Sequence, residues 1–340
     1  MTQTRTARFD IRAITRRPEF GALLGTLAVY IFFTFFGGEQ FIAIGGSASW
    51  LNIAAELGIV ALPVALVMIA GDLDLSVGST LAAAGVTQAV LCGFYGLPSI
   101  VGLVAALGLG IIIGFANGLI VTKTNLPSFV VTLAISFATV GLTLGITRLL
   151  TGTVSVDVQS EPWLKQLLGT LMFENFESAI VIWIGIALII SWILYKTKYG
   201  NWIFAIGGDM VSAKATGIPV EKVRIWLFVG SSFGAALVGV IQTTLYDSAQ
   251  VAAGSSFVFN SIIAVVVGGV LLTGGYGSTI GVVLGTCTYA IVNQGIYYTG
   301  WDSDWASLIL GILLLIAVLT NNTFRRMALG GGKKKTKESK

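Results

Sequence analysis

Ten apolar runs of membrane-spanning character dictate what this chain can fold into. They lie near residues 20–36, 51–70, 75–94, 98–121, 126–147, 178–195, 225–246, 257–273, 277–296 and 305–320, broken by Gly, Pro, Asn and charged residues. A helical crossing of the hydrocarbon core takes about 20 predominantly apolar residues. A chain of 340 residues with ten such runs therefore holds spans and little else. Charged residues make up 11% of it, against roughly 25% in a soluble domain, too few for a water-facing surface of this size. The pattern predicts an all-α polytopic membrane protein with about ten transmembrane helices in one membrane domain, residues 20–321. Forty-three glycines fit that class, because small residues let helices approach closely where no hydrophobic effect drives them together. Small-xxx-small spacing at Gly110/Gly114/Gly118, Gly141/Gly145, Gly230/Gly234 and Gly281/Gly285 predicts such contacts.

The basic residues suggest an orientation. With the N-terminus in the cytoplasm, eighteen of the twenty Lys and Arg fall on cytoplasmic segments, leaving Arg148 and Lys165 outside. They occupy a basic head (residues 1–19), the loop at Lys123, the loop near 196–224 and a basic tail (residues 322–340). Cytoplasmic loops carry an excess of Lys and Arg, so both termini are expected in the cytoplasm. Trp50, Trp163, Tyr246, Trp301 and Trp305 fall at expected outer ends, and Trp192, Tyr195, Tyr199 and Trp202 at inner ones, as an interfacial belt requires. The formal net charge of +4 sits in these loops and tails, so it serves topology and not nucleic-acid binding. The basic head and the run from Phe20 to Phe36 resemble a signal peptide but lack a small-residue cleavage site, so a retained first span is expected. The tail GGGKKKTKESK is expected as a solvated tether.

Catalytic chemistry is not visible. The chain has no histidine, and Cys92 and Cys287 lie at or within apolar segments without CxxC spacing, so neither a disulfide framework nor a metal site is expected. No GxxxxGK[ST] is present, so ATP cannot be held by a P-loop. A transporter is expected, with no catalytic residue and no cofactor of its own.

Three features could carry transport. AGDLDLSVGS, Ala70–Ser79, sets two carboxylates between two apolar runs. Asp at a helix N-cap accepts from unpaired amides and faces the positive dipole end, so Asp74, Ser76 and Gly78 mark the start of the third span. Asp72 and Asp74 either cap a tight structural turn, bind solute or ion directly, or belong to a gate. In the inner loop 199–224, Gly207 and Gly208 can break the chain, Asp209 can cap, and Met210 to Thr216 can form about two helical turns. Gly217 then acts as a stop with Pro219 just beyond it. A short helix held outside the membrane is either a docking knob or a connector. The outer loop 148–177 is expected to carry a short amphipathic piece around Trp163–Met172.

A path for a polar solute needs hydrogen-bonding groups facing a cavity, since unpaired polar atoms facing lipid are costly. Asn52, Glu56, Gln88, Asn260, Asn293 and Gln294 are candidates inside apolar spans, with Phe129 as a stacking surface. The alternative for each is hydrogen bonding between helices, worth ~1 kcal/mol per contact. Glu56 differs, because an acid on an apolar helix prefers a wet cavity or a partner.

The motifs resemble one family in order along the chain. GGDMVSAKATGIPVEKVR, residues 207–224, is similar to the coupling segment of ribose-type (monosaccharide) permeases of bacterial ATP-binding-cassette (ABC) importers. DLDLSVGS (72–79), ANGLIVTKTNLPSFVVTL (116–133), GGYGSTIGVVLG (274–285) and Asn293-Gln294-Gly295 resemble further segments of that family. Asp209, Lys214, Gln294 and the extra Asp72 depart from its usual pattern. The resemblance implies a permease domain whose Gly207, Gly208, Asp209, Met210, Ser212, Ala213, Lys214, Ala215, Gly217 and Pro219 couple to a cytoplasmic ABC ATPase. It also implies ATP and Mg on that ATPase, a periplasmic sugar-binding protein, a second permease copy or sister permease, and a multi-pass place in the lipid of the bacterial inner membrane. The rival class is an ion-coupled secondary transporter, which would place charges at the bilayer midplane; here only Glu56 is a candidate.

Overall fold

Every apolar run carries a helix in the computed structural model, which describes residues 18–124 and 126–330. The chain begins with α1 (Pro18–Ile42), α2 (Ile44–Ile69), α3 (Val77–Ala89, continued by a π-helical turn Val90–Phe94), α4 (Ser99–Thr124) and α5 (Ser128–Thr151). Then come β1 (Ser155–Asp157), α6 (Pro162–Leu168), β2 (Leu171–Met172), β3 (Phe176–Glu177) and α7 (Ala179–Lys196). Two short helices follow, α8 (Lys198–Gly208) and α9 (Met210–Ala215), before α10 (Val220–Tyr246), β4 (Ser248–Gln250), α11 (Phe257–Val267), α12 (Thr279–Tyr298) and α13 (Trp305–Gly330). Among the described residues eight helices are long and apolar enough to cross a membrane, namely α1 to α5, α7, α10 and α12, with α11 and the Trp305–Leu319 part of α13 as shorter apolar helices. Residues 1–17 of the expected head and 331–340 of the tail lie outside the described residues; Pro18 and Glu19 begin α1, and α13 continues through Gly330.

The core is built around α2, which is almost wholly buried from Ala54 to Ile69 and packs against α7, α10, α11 and α12. α10 lies between α3 and α4, and α12 lies against α1 and α2. Close approach follows the glycine spacing. Cβ atoms on Gly110, Gly114 and Gly118 of α4 would run into Ala236, Val229 and Ile225 of α10. Those on Gly281 and Gly285 of α12 would meet the α11 backbone at Gly268 and Ala264. Gly141, Gly145 and Gly230 are different: nothing lies within 4 Å of a Cβ there.

α11 is only eleven residues long, ~16 Å at 1.5 Å per residue. Its apolar run continues to residue 273, but Gly269 takes a left-handed φ of 89° that ends the helix and turns the chain.

The two ends of the bundle differ in charge. One end gathers Lys123, Lys196, Lys198, Lys214, Lys222 and Arg224 (the basic end); the other exposes Asp157, Glu161, Glu174, Asp302 and Asp304 (the acidic end). At the acidic end α6 is amphipathic as expected, with Leu164 and Leu168 buried and Trp163 and Leu167 exposed. β2 and β3 form a hairpin, and β1 pairs antiparallel with β4 in the register Ser155↔Gln250, Val156↔Ala249, Asp157↔Ser248.

Candidate functional site

At the basic end the loop between α7 and α10 folds as two helices at an angle. Asp209, in extended conformation at φ −158°, breaks them apart and caps α9: its Oδ1 accepts from the Val211 and Ser212 amides at 2.9 and 3.2 Å. The Ser212 hydroxyl donates to Asp209 Oδ2 at 2.7 Å. That hydroxyl bond first, and the two amides with it, hold the Asp209 carboxyl below the usual carboxylate range. Gly217, at φ 84°, ends α9, with its amide bonded to the Lys214 carbonyl and the Ile218 amide to the Ala213 carbonyl. Pro219 precedes α10 as its N-cap residue. Ala213 faces inward and is buried, whereas Val211 is 80% exposed and Ser212, Lys214 and Ala215 point outward, with Met210 half-buried against Arg224. The result is a knob anchored to the bundle through Ala213 and Met210, with Val211, Ser212, Lys214 and Ala215 turned outward.

The break between α8 and α9 falls on Asp209 and not on the glycines. Gly207 and Gly208 are helical. Gly207 is there because of packing: a Cβ would overlap the Ile69 carbonyl oxygen and meet the Gly275 nitrogen at 2.5 Å. Gly274 lies against Gly71 in the same way, and the Gly275 amide donates to the Ile69 carbonyl at 2.8 Å. Three connections thus meet backbone to backbone: the end of α2, the end of α8 and the turn before α12.

The Ala70–Ser79 segment joins this junction to the bundle interior. Arg224 Nε and Nη2 donate to Asp72 Oδ2 and Oδ1, both at 2.7 Å, a forked pair with Asp72 buried and Arg224 largely so. Asp74 sits two residues before the α3 cap, which falls on Ser76. Its Oδ1 accepts from the Ser76 amide at 2.9 Å and from the Ser76 hydroxyl at 2.6 Å. Asn117 Nδ2 donates to Ser76 Oγ at 2.7 Å, and Ser231 lies beside the Asp74 carboxyl. Gly78 touches Gly254 backbone to backbone.

The expected pathway residues separate. Asn52 clamps the β2–β3 hairpin, its Nδ2 donating to the Asn175 carbonyl at 2.9 Å and its Oδ1 accepting from the Glu177 amide at 3.0 Å. Glu56, one turn along α2, is buried and accepts from Gln242 Nε2 at 2.8 Å, with the Glu177 carboxyl close enough to interact electrostatically. Burial pushes Glu177 up to about 7. The fold therefore brings Asn52 and Glu56 together with Glu177 and Gln242, two partners that hydropathy does not single out. Gln88 is buried and donates to Thr244 Oγ1 at 3.1 Å. Phe129 is half-exposed at the basic end of α5, Asn260 is half-buried in the first turn of α11, and Asn293 and Gln294 bond each other on α12 at 3.3 Å. Among the described residues no group of three or more Cys, Asp or Glu could hold a metal ion.

Comparison with known proteins covers nearly the whole bundle. Residues 46–318 match the family described as branched-chain amino acid transport system, permease component. A probable ABC transporter permease protein of Sinorhizobium fredii is 34% identical over 279 residues, 80% of this chain and 81% of that one. The ribose import permease protein of Escherichia coli is 31% identical over 289 residues, 83% of this chain and 87% of that one. The fructose import permease protein of Rhizobium meliloti is 28% identical over 284 residues, 82% and 78% of the two chains. No solved structure matches. With eight helices long and apolar enough to cross a membrane and these matches, the chain belongs to the family of transport-system permease components.

Proposed function

We propose that this permease carries a monosaccharide or similar small polyol into the cell across the bacterial inner membrane, driven by a partner ATPase docked on the α8–α9 knob. The knob carries the reading: a capped helix with Val211 and Lys214 exposed, tied through Gly207 to Ile69 and Gly275 and through Arg224 to Asp72. A push on α9 is transmitted at backbone level to the end of α2 and the turn before α12. The positive-inside rule sets the basic end, and with it the knob and both termini, in the cytoplasm, where ATP and Mg reach the ATPase. A periplasmic sugar-binding protein delivers solute at the acidic end, and a second copy or a sister permease completes the membrane pair. The sugar class follows the relatives, whose names specify ribose and fructose. Family membership favours this reading over ion-coupled secondary transport.

The test joins docking to energetics. Ser212→Cys should cross-link to the ATPase in the assembled complex, and uptake of ribose or fructose should survive collapse of the proton and sodium gradients but stop on ATP depletion. Uptake that follows an ion gradient, or an assembled complex in which Ser212→Cys never cross-links, would count against it.

A further inference from the structure

Two of the non-helical segments between helices differ in how their polar groups are satisfied. In residues 72–76, between α2 and α3, Asp72, Asp74 and Ser76 are buried, and side chains take up the amides: the Leu73 amide donates to Ser128 Oγ, the Leu75 amide to Thr132 Oγ1 and the Ser76 amide to Asp74 Oδ1. Residues 251–256, between β4 and α11, are not enclosed. Ala252, Ala253, Ser255 and Ser256 are exposed, and the amides of Ala252, Gly254 and Ser256 donate to no protein acceptor.

This second segment does not lie at the membrane surface. Gly254 is in backbone contact with Gly78 at the start of α3. One turn along α3, the Leu81 carbonyl abuts Gly239 of α10. At 1.5 Å per residue, Gly254 therefore lies ~15 Å inside the acidic end of α10 and ~24 Å from its basic end. Hydrocarbon offers no hydrogen-bond partner, so non-helical backbone persists at that depth only where protein buries it or water reaches it. A cleft of about 200 Å³ adjoins the segment, lined in part by Gln242, Thr243, Tyr246, Ser248, Gln250 and Ala253.

We propose that residues 251–256 and this cleft form one wall of a water-filled path for a neutral, polyhydroxylated solute. The wall offers uncharged donors and acceptors: free backbone amides, the hydroxyls of Ser255 and Ser256, and the side-chain amide of Gln250. These match hydroxyl groups, and no charged side chain lines the cleft to favour an ion. The assignment rests on the import function proposed above and adds to it the part of the chain that solute passes.

The test uses the assembled transporter in lipid, with Cys92 and Cys287 replaced by Ala. Ser255→Cys and Ser256→Cys should react with a membrane-impermeant, charged thiol reagent roughly tenfold faster or more than Ile112→Cys, which is equally deep but faces outward from α4. Labelling should also block uptake. In the unmodified protein, amides of the 251–257 peptide should exchange with deuterium at the shortest labelling times while those of α3 stay protected. Labelling no faster than at Ile112→Cys, or a 251–257 peptide as protected as α3, would overturn the proposal. Fast labelling with uptake that ignores ATP would keep the path and discard the ATP-driven importer; ATP-driven uptake with an unreactive wall would do the reverse.

Discussion

Breaking the Asp72–Arg224 pair should be among the most damaging single changes outside the apolar core. The two side chains are 6% and 12% exposed, and both carboxylate oxygens are held at 2.7 Å by a forked guanidinium. In Asp72→Asn the guanidinium stays buried with only a neutral amide and the Met210 sulfur, 3.9 Å from Nη1, to answer it. In Arg224→Met the carboxylate is stranded instead. Removing one partner of a buried pair costs about 3–5 kcal/mol, because the remaining charge is uncompensated. At 1.4 kcal/mol per tenfold, this is a loss of roughly two to four powers of ten in the folded-to-unfolded ratio. The double variant Asp72→Asn/Arg224→Met removes both charges and should recover most of the loss, since a buried pair exchanged for neutral groups is often close to neutral. The exposed Lys123–Glu221 pair, 61% and 45% exposed, is the internal control. Its removal should cost under about 1 kcal/mol. The assay is a double-mutant cycle on thermal or denaturant unfolding in detergent, with ATPase stimulation by the binding protein measured alongside. Single variants as mild as Lys123→Ala, or a double variant as damaged as the sum of the singles, would refute the reasoning.

Two further outcomes are expected. Gly207→Ala should destabilise by about 1–3 kcal/mol through overpacking against Ile69 and Gly275 and should weaken coupled ATPase stimulation. Gly208→Ala, where a Cβ meets nothing within 4 Å, should do neither; equal effects at the two positions would contradict the packing argument. Glu177, pushed from 4.5 to about 7 by burial, binds its proton more tightly in the folded protein than in the unfolded chain. Its contribution to stability is thus full below about 4.5, falls as pH rises towards 7 and levels off above it. Melting temperatures of wild type and Glu177→Gln across that window should show a downward slope in the first that flattens in the second, and parallel slopes would remove Glu177 as its source.

Much of the bundle was legible because hydropathy is a local property. Each apolar run became a helix, and the knob could be read from its own caps, Asp209 before it and Gly217 after it. What the sequence concealed were requirements set by distant partners. Gly207 looks like a chain breaker, yet it sits inside α8 and answers to Ile69 and Gly275. Asn52 looks like a pathway residue, but its amide is committed to Asn175 and Glu177 of a hairpin far along the chain. The segment VAAGSS, residues 251–256, falls between the apolar runs 225–246 and 257–273 and carries no motif of its own. Only the Gly78–Gly254 contact reveals that it dips into the bundle. The one available clue was Gly268-Gly269, which cuts the run at 257–273 to a helix too short to cross by itself.

The same contrast bears on the acidic turn, for which the sequence left capping, binding and gating open. Both oxygens of Asp72 are taken by Arg224, and the near oxygen of Asp74 is taken twice by Ser76, which Asn117 holds from α4. Asp72 thus has little left with which to hold a solute, whereas Asp74 keeps its far oxygen buried beside the Ser231 hydroxyl. A solute needs donors and acceptors that the protein has not already used. Exposed backbone amides of that kind stand on residues 251–256, where the chain carries no acid at all. On the proposed path, the charged segment ties Asp72 to Arg224 at the basic end, and the uncharged one meets the solute. That division suits a neutral cargo, because an ionised group at mid-depth would draw ions and bear a desolvation cost that backbone amides and serines avoid.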